Sequence, residues 1–312
     1  MDRLSETKII LVKRRSRLDE LVARFNSVSQ AKFYVEHLGA DFSDYQREHD
    51  EYALAVSGAA DILQAMGRVQ TLDRMYLPNF LFGSDEIVVA IGQDGLVANT
   101  LKYLDEQPLL GVNPAPQRWD GVLLPFKVPD LAQVVPEVIK GRRQRAEVTM
   151  AVARLNNGQT LLAVNDLFVG QRTHVSARYQ IRHGDLAEAQ SSSGIIISTG
   201  LGSTGWLKSI LAGAAGVVNS VAQPSQPINP PGKFDWGADY LYFSVREPFP
   251  SQTTGARLVF GKITAGQPLH VVSHMAENGV IFSDGIESDF LEFNSGSAAV
   301  VTLASKKGIL VV

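Results

Sequence analysis

Apolar and polar positions follow two rhythms in the first third of the chain. Lys8 to Val12 (KIILV) reads as a short buried strand. From Leu18 to Leu38 the apolar residues fall at helical spacing, with Leu18, Leu21, Val22 and Phe25 followed by Phe33, Val35 and Leu38; Gly39 is a stop signal. A polar stretch from Asp41 to Glu51 precedes a second helical segment over Tyr52 to Gly67. Glu86 to Ile91 (EIVVAI) reads as a strand covered on both faces, Gly92 to Gly95 breaks it, and Leu96 to Leu104 resumes helical spacing. Leu109 to Val112 is again a strand. Strands alternating with helices predict an α/β domain with a parallel sheet.

After about residue 120 the texture changes. Short strand-like runs follow one another: Val148 to Leu155, Leu161 to Val169, Val175 to Ile181, Gly194 to Ser198, Tyr240 to Val245, Leu258 to Phe260, Leu269 to Ser273, Gly279 to Phe282, Phe290 to Phe293, Ala298 to Leu303 and Gly308 to Val312. Only Pro129 to Gly141 and Trp206 to Val221 read as helices. This spacing predicts a mainly-β sandwich. The expected organisation is an α/β domain over residues 1–120 and a β-sandwich domain over residues 121–312. Gln223 to Gly232 holds four prolines in ten residues, which predicts an exposed loop. There is no internal repeat.

Composition narrows the chemistry. With 312 residues, 45% hydrophobic and 20% charged, the chain can fill two cores. Lys plus Arg number 29 against 32 Asp plus Glu, so no basic surplus points to nucleic acid. Cysteine is absent, which excludes disulfide scaffolds, thiolate zinc sites, iron–sulfur clusters and cysteine nucleophiles. No apolar run approaches the roughly 18 residues of a membrane span, so no membrane partner is expected. The first residues carry Asp2 and Glu6 and no apolar signal region, so a cytoplasmic location is expected.

Three features carry chemistry. Gly92-Gln93-Asp94-Gly95 lies between a buried strand and a helix, where free N–H groups at a helix start meet phosphates and glycine lets the backbone come close. Asp94 suits a general base for a hydroxyl, or a magnesium ligand. The plainer reading is an Asp–Gly turn with a helix cap. Gly200-Leu201-Gly202-Ser203-Thr204-Gly205 spells GxGxxG, but no acidic residue stands about 20 positions on to hold a ribose, and the loop sits among β strands. Backbone contact with a ligand is the expectation, since so bare a loop is entropically costly. With Leu201 where a glycine is needed, it also falls short of a nucleophile elbow. Asn165-Asp166 interrupts an apolar run, and a buried carboxylate needs a partner, either a ligand group or a structural Arg. His270 and His274 stand in a β stretch, where that spacing does not bring two ligands together. Arg142, Arg143 and Arg145 read as a solvated face. No metal site is expected from the protein's own side chains, and no GxxxxGK[ST] phosphate loop occurs.

In this order, Gly92-Gln93-Asp94-Gly95, Gly111-Val112-Asn113, Asn165-Asp166 and Thr199 to Trp206 resemble the NAD kinase family, whose superfamily includes diacylglycerol and sphingosine kinases. Gly111 to Pro116 (GVNPAP), Ser192-Ser193-Gly194, Trp206 and Ser244 to Pro248 (SVREP) are most similar to its mitochondrial-type branch. The resemblance implies a two-domain fold, α/β then β-sandwich, that binds ATP and NAD(H), with magnesium accompanying ATP. It implies phosphorylation of the 2′-hydroxyl of the adenosine ribose. By position, Asp94 is then the catalytic base. Gly92, Gly95, Gly200, Gly202 and Ser203 lie near phosphates. Asn113, Asn165, Asp166, Thr204, Gly205 and Trp206 hold the dinucleotide. A homo-oligomer, dimer or higher, is also implied. The chain departs from the family pattern at Gln93 for glycine, Leu96 for threonine and Gly205 for alanine. Gln93 would be strained if its site required positive φ. The competing readings are a lipid or small-alcohol kinase of the same superfamily and a catalytically weak nucleotide-binding sensor.

Overall fold

The computed structural model describes residues 4–222, 225–229 and 232–312. Four positions of the proline-rich loop, 223, 224, 230 and 231, lie outside the described residues. The chain forms two compact units, residues 1–146 with 309–312, and residues 147–308. Residues 121–146, expected in the second domain, therefore belong to the first. The reason is packing: Phe126, Leu131, Val134, Val135 and Val138 are buried in the same core as Ile9, Val89 and Leu110.

The first unit is an α/β layer structure. Its strands are β1 (Lys8–Lys13), β2 (Arg68–Asp73), β3 (Ile87–Ile91), β4 (Pro108–Asn113) and the short β5 (Phe126–Lys127). They run in the order β2-β1-β3-β4-β5, all parallel, and Ile309 and Leu310 near the chain's end pair with Pro108 and Leu109 of β4. The central strands β1, β3 and β4 are buried along nearly their whole length. That is why they read as unbroken apolar runs rather than alternating ones.

Among the described residues, the α-helices that accompany the sheet are α1 (Arg17–Phe25), α2 (Val28–His37), α3 (Phe42–Met66), α4 (Asp94–Leu101) and α5 (Leu131–Ile139). The helical run expected over Leu18 to Leu38 is two helices. Asn26 closes α1 in the left-handed region (φ 64°), and Ser27 caps α2 by accepting the Gln30 N–H. The polar stretch before Tyr52 is the first half of α3, capped by Asp41 accepting from Ser43 N. Apolar periodicity missed it because most of that half faces solvent. The edge strand β2 was missed because only Leu72 in it is buried.

The second unit is two facing sheets. One follows β10-β9-β14-β17, joined through β17 to β6 and β7; the other follows β13-β12-β11-β8-β15-β16. The strands are β6 (Arg145–Leu155), β7 (Thr160–Ala163), β8 (Asp166–Gln171), β9 (Ala177–His183), β10 (Leu186–Ser192), β11 (Ile195–Ser198), β12 (Leu241–Val245), β13 (Phe260–Ile263), β14 (Leu269–Ser273), β15 (Gly279–Ser283), β16 (Ile286–Glu292) and β17 (Ala298–Val311). Tyr179, Ile181, Leu269 and Val301 from one sheet share a core with Val169, Ile197, Phe243 and Ile281 from the other. The helix α6 (Trp206–Ala222) packs its start on the outer face of the second sheet, with Trp206 and Ile210 against Phe168, Ile196 and Val280. The strand expected over Leu161 to Val169 is two strands broken at Val164-Asn165, and the two runs expected at the end are one strand, β17.

Candidate active site

In the first unit, the loop of Gly92 to Gly95 leaves β3 at its carboxyl end, where open parallel sheets place ligands. The neighbouring ends hold it tightly. Gly92 N–H donates to Val112 O of β4 at 3.1 Å. The Tyr52 hydroxyl of α3 accepts from Arg14 N–H and donates to Ile91 O, each at 2.9 Å, tying the end of β1 to the end of β3. Burial pushes the Tyr52 hydroxyl up to about 12, so it stays protonated as that donor. The Arg14 guanidinium lies over the Tyr52 ring and pairs with Glu48. None of these anchors was legible as a motif.

Gln93 precedes α4 with φ −119° and ψ 164°. That is ordinary extended backbone, so the site does not require positive φ and the glutamine is unstrained. Leu96 is buried and packs on Gly92, where an added Cβ would stand 3.0 Å from its Cδ2. A leucine in place of threonine thus fills the core beneath the loop. Leu96 N–H and Val97 N–H bond to Gln93 O, so the N–H groups of Asp94 and Gly95 precede the helical ladder. Gly95 is exposed, and a Cβ there would meet nothing within 4 Å.

The Asp94 carboxylate is oriented by the backbone of a second loop. Oδ1 accepts from Leu123 N at 2.9 Å and Oδ2 from Val122 N at 3.3 Å. That loop is braced on β4: a Cβ on Gly111 would fall 1.9 Å from Leu123 O. Asn113 shapes its near end, donating from Nδ2 to Trp119 O and accepting Ala115 N–H. Arg118 ties it to Asp44 of α3, whose carboxyl is held far below the usual carboxylate range by bonds to Arg118, Arg17 and Arg47.

In the second unit, Asn165-Asp166 and the loop from Thr199 to Gly205 come together. Thr199 N–H donates to Asn165 O at 3.0 Å, and the Thr199 hydroxyl bridges Val164 O and Gly202 N–H. A Cβ on Gly202 would lie 2.2 Å from Asn165 O and 2.9 Å from Asp166 Oδ1. One on Gly200 would lie 1.9 Å from Asp235 O. What comes close to these two glycines is the chain's own backbone. Ser203 is buried and donates to Gly200 O at 2.7 Å. Thr204 and Gly205 are exposed, and Trp206 stacks on Phe168 with its centroid 5.9 Å away and Arg246 over its ring.

Of the two partners considered for Asp166, a ligand group or a structural Arg, no arginine pairs with it among the described residues. The carboxylate nearby is another acid, Asp284, at the turn between β15 and β16. It accepts N–H bonds from Val164, Asn165 and Asp166, and returns its own N–H to Asp166 O at 2.9 Å. Burial first, and then the Asp284 charge, push the Asp166 carboxyl up to about 7, against a lowering bond from Ser198. Asp166 Oδ1 is enclosed and without a hydrogen-bond partner among the described residues. Asp284 was not singled out in the sequence because its turn reads as one more Asp–Gly hairpin.

Two structures of known proteins share this architecture. An NAD kinase from Archaeoglobus fulgidus in complex with ATP aligns over 98% of this chain and 94% of its own, with TM-score 0.56 and 14% identity. Yeast NADH kinase complexed with NADH aligns over 99% and 84%, with TM-score 0.57 and 14% identity. The chain has the NAD kinase fold. In sequence it is similar to NAD kinases of Burkholderia pseudomallei, 30% identical over 130 residues, and Burkholderia thailandensis, 29% over 156. Those matches span 39% and 47% of this chain, and 42% and 50% of the relatives' length. No protein-family model matches the chain.

Proposed function

We propose that the chain is an ATP-dependent NAD kinase, transferring the γ-phosphoryl group of ATP to the 2′-hydroxyl of the adenosine ribose of NAD(H). The observation that carries the reading is Asp94. It stands in the first turn of α4 at the carboxyl edge of a parallel sheet, aimed by two backbone N–H donors. A carboxylate has about four lone-pair sites, and those two bonds leave about two for a substrate hydroxyl. In this reading Asp94 takes the hydroxyl proton as the ribose oxygen bonds to the γ-phosphorus and the bond to the ADP oxygen breaks. Such transfer rests on positioning and charge neutralisation. Magnesium enters with the triphosphate. Gly92 shapes the loop, and exposed Gly95 with the first N–H groups of α4 meets phosphates.

Asn165, Asp166 and the exposed Thr204, Gly205 and Trp206 form the dinucleotide side. Asn113 acts through the loop that orients Asp94, and the buried Gly200, Gly202 and Ser203 act by fixing residues 165 and 166 in place. A homo-oligomer belongs to this reading. Its support is α6, which has one charged residue, Lys208, buries only Leu207 and Ala215, and leaves Val217, Val218 and Val221 exposed. A cytoplasmic location belongs to it too, in keeping with a chain without cysteine. Purified protein offered ATP with NAD, NADH, diacylglycerol or sphingosine tests the reading. Phosphorylation of NAD or NADH alone is expected; phosphorylation of a lipid, or of nothing, would overturn it.

A further inference from the structure

The turn joining β15 to β16 is built for one geometry. Asp284 and Gly285 both sit at positive φ, 55° and 70°. Two successive left-handed residues make the hairpin turn whose twist matches the strands, and Asp–Gly is among its preferred pairs. The sequence accounts for this Asp as turn chemistry alone. Its side chain reaches the bend that separates β7 from β8. Oδ1 accepts Asn165 N–H at 2.7 Å, Val164 N–H at 3.1 Å and Asp166 N–H at 3.2 Å, and Oδ2 also takes Val164 N–H at 3.2 Å.

Val164 and Asn165 lie between two strands, so no ladder satisfies their N–H groups. Asp284 gathers three consecutive donors onto one carboxylate. The bend could have been stabilised by any acceptor. What distinguishes it is the state of the side chains it carries. Asp166 Oδ1 is buried with no hydrogen-bond partner among the described residues, and Asn165 beside it is half-buried. The backbone at 164–166 is held by Asp284 and Thr199 and packed against Gly202, while Asp166 Oδ1 is left without a hydrogen-bond partner among the described residues. That is the arrangement of a held ligand-binding pair rather than of a closed structural network.

We infer that Asp284 is a positioning residue for the acceptor dinucleotide: its carboxylate collects the N–H groups of Val164, Asn165 and Asp166 and so fixes where the Asn165 and Asp166 side chains stand. The inference rests on the NAD kinase reading. It has a second consequence. Asp284 places negative charge beside Asp166, and that charge with burial raises the Asp166 carboxyl, while the Ser198 hydroxyl lowers it. Removing the charge without removing the acceptor therefore lowers the pH at which Asp166 ionises.

Full-length Asp284→Ala and Asp284→Asn test this together. The measurements are KM for NAD and for ATP, kcat, the pH dependence of kcat/KM for NAD, and amide hydrogen exchange over residues 164–166. Asp284→Ala is expected to raise KM for NAD by about tenfold, the loss of roughly 1.4 kcal/mol of binding. KM for ATP should stay within about twofold, and amides 164–166 should exchange at least about tenfold faster. Asp284→Asn keeps an acceptor oxygen for the three donors. It should restore KM for NAD to within about threefold of wild type and move the acid limb of the pH profile to lower pH.

Equal losses for both substrates, or an unchanged KM for NAD once the amides have lost protection, would overturn the inference. So would an unmoved pH profile in Asp284→Asn, which remains informative if Asp284→Ala fails to fold. Wild-type protein inert toward NAD would overturn the kinase reading and this role with it. Wild-type protein active on NAD with unaffected variants would overturn this role alone.

Discussion

Replacing Asp94 by asparagine separates the two things the carboxylate does. In the structure it orients the loop at Val122 and Leu123, and in the proposed reaction it accepts a proton. Asparagine keeps one carbonyl oxygen, which can retain the 2.9 Å bond from Leu123 N–H. Its amide nitrogen then faces Val122 N–H, donor against donor, where Oδ2 accepts at 3.3 Å in the native protein. That bond is long and Val122 is exposed, so its loss costs about 1 kcal/mol, nearer an ordinary hydrogen bond than one to a well-aligned charged acceptor. In a chain this size the melting temperature should drop by only about 2–4 °C. Turnover should fall far more. A positioned base contributes about 10²–10⁴ in rate, or about 3–5 kcal/mol of barrier.

The assay follows NADP formation and ADP release in parallel, beside a thermal melt. The expected result is a loss of at least about 10² in kcat with NAD binding retained, and with the small melting shift just given. Turnover within about tenfold of wild type would refute Asp94 as the base. A melting drop several times larger, with NAD binding lost as well, would show that Asp94 serves the loop and nothing more.

Gly95→Ala is expected to leave stability unchanged or raised by up to about 1 kcal/mol, since the site is open and helical, while lowering phosphate-donor affinity in ATP titrations; unchanged KM for ATP would remove Gly95 from the phosphate site. Gly202→Ala places a Cβ 2.2 Å from Asn165 O and is expected to cost about 1–3 kcal/mol in a melt and to weaken NAD more than ATP. Leu96→Thr, although it restores the family residue, should destabilise by about 1–3 kcal/mol because Leu96 is buried, whereas Gln93→Gly should change stability by less than about 1 kcal/mol in denaturant titration. Asp166 is raised from 3.8 to about 7, worth at most roughly 4 kcal/mol, so its stabilising contribution is full below pH 3.8 and is lost as pH rises through about 7; relative to wild type, Asp166→Asn should gain melting temperature from pH 4 to pH 8.

The covered strands were the most legible part of the chain. Ile9 to Val12 and Ile87 to Ile91 are apolar throughout because helices and neighbouring strands cover them, and no surface residue interrupts the pattern. Boundaries set by single side chains were not legible. Nothing in periodicity separates α1 from α2; Asn26 at positive φ and the Ser27 cap do. The break at Val164-Asn165 is likewise invisible, because the residue that stabilises it lies 119 positions away at Asp284. The Asn165-Asp166 pair stood out as polar letters in an apolar run. What balances it did not, since a clamp of backbone donors on a distant carboxylate has no sequence signature.

The two glycine loops sharpen the same point. As letters, both invite a phosphate. In space, Gly200 and Gly202 are filled by the backbone at Asp235 and Asn165, whereas at Gly95 the absent side chain leaves open room beside a helix start. Glycine records that something comes close, not whether that something is a ligand or the chain itself. The distinction assigns different work to the loops. The one in the first unit can admit a ligand against its backbone. The one in the second unit cannot at Gly200 or Gly202, and affects a ligand there only through the residues it supports. A methyl group therefore has opposite signatures in the two places: at Gly95 it should disturb binding without disturbing the fold, and at Gly202 it can disturb binding only by first displacing Asn165 and Asp166.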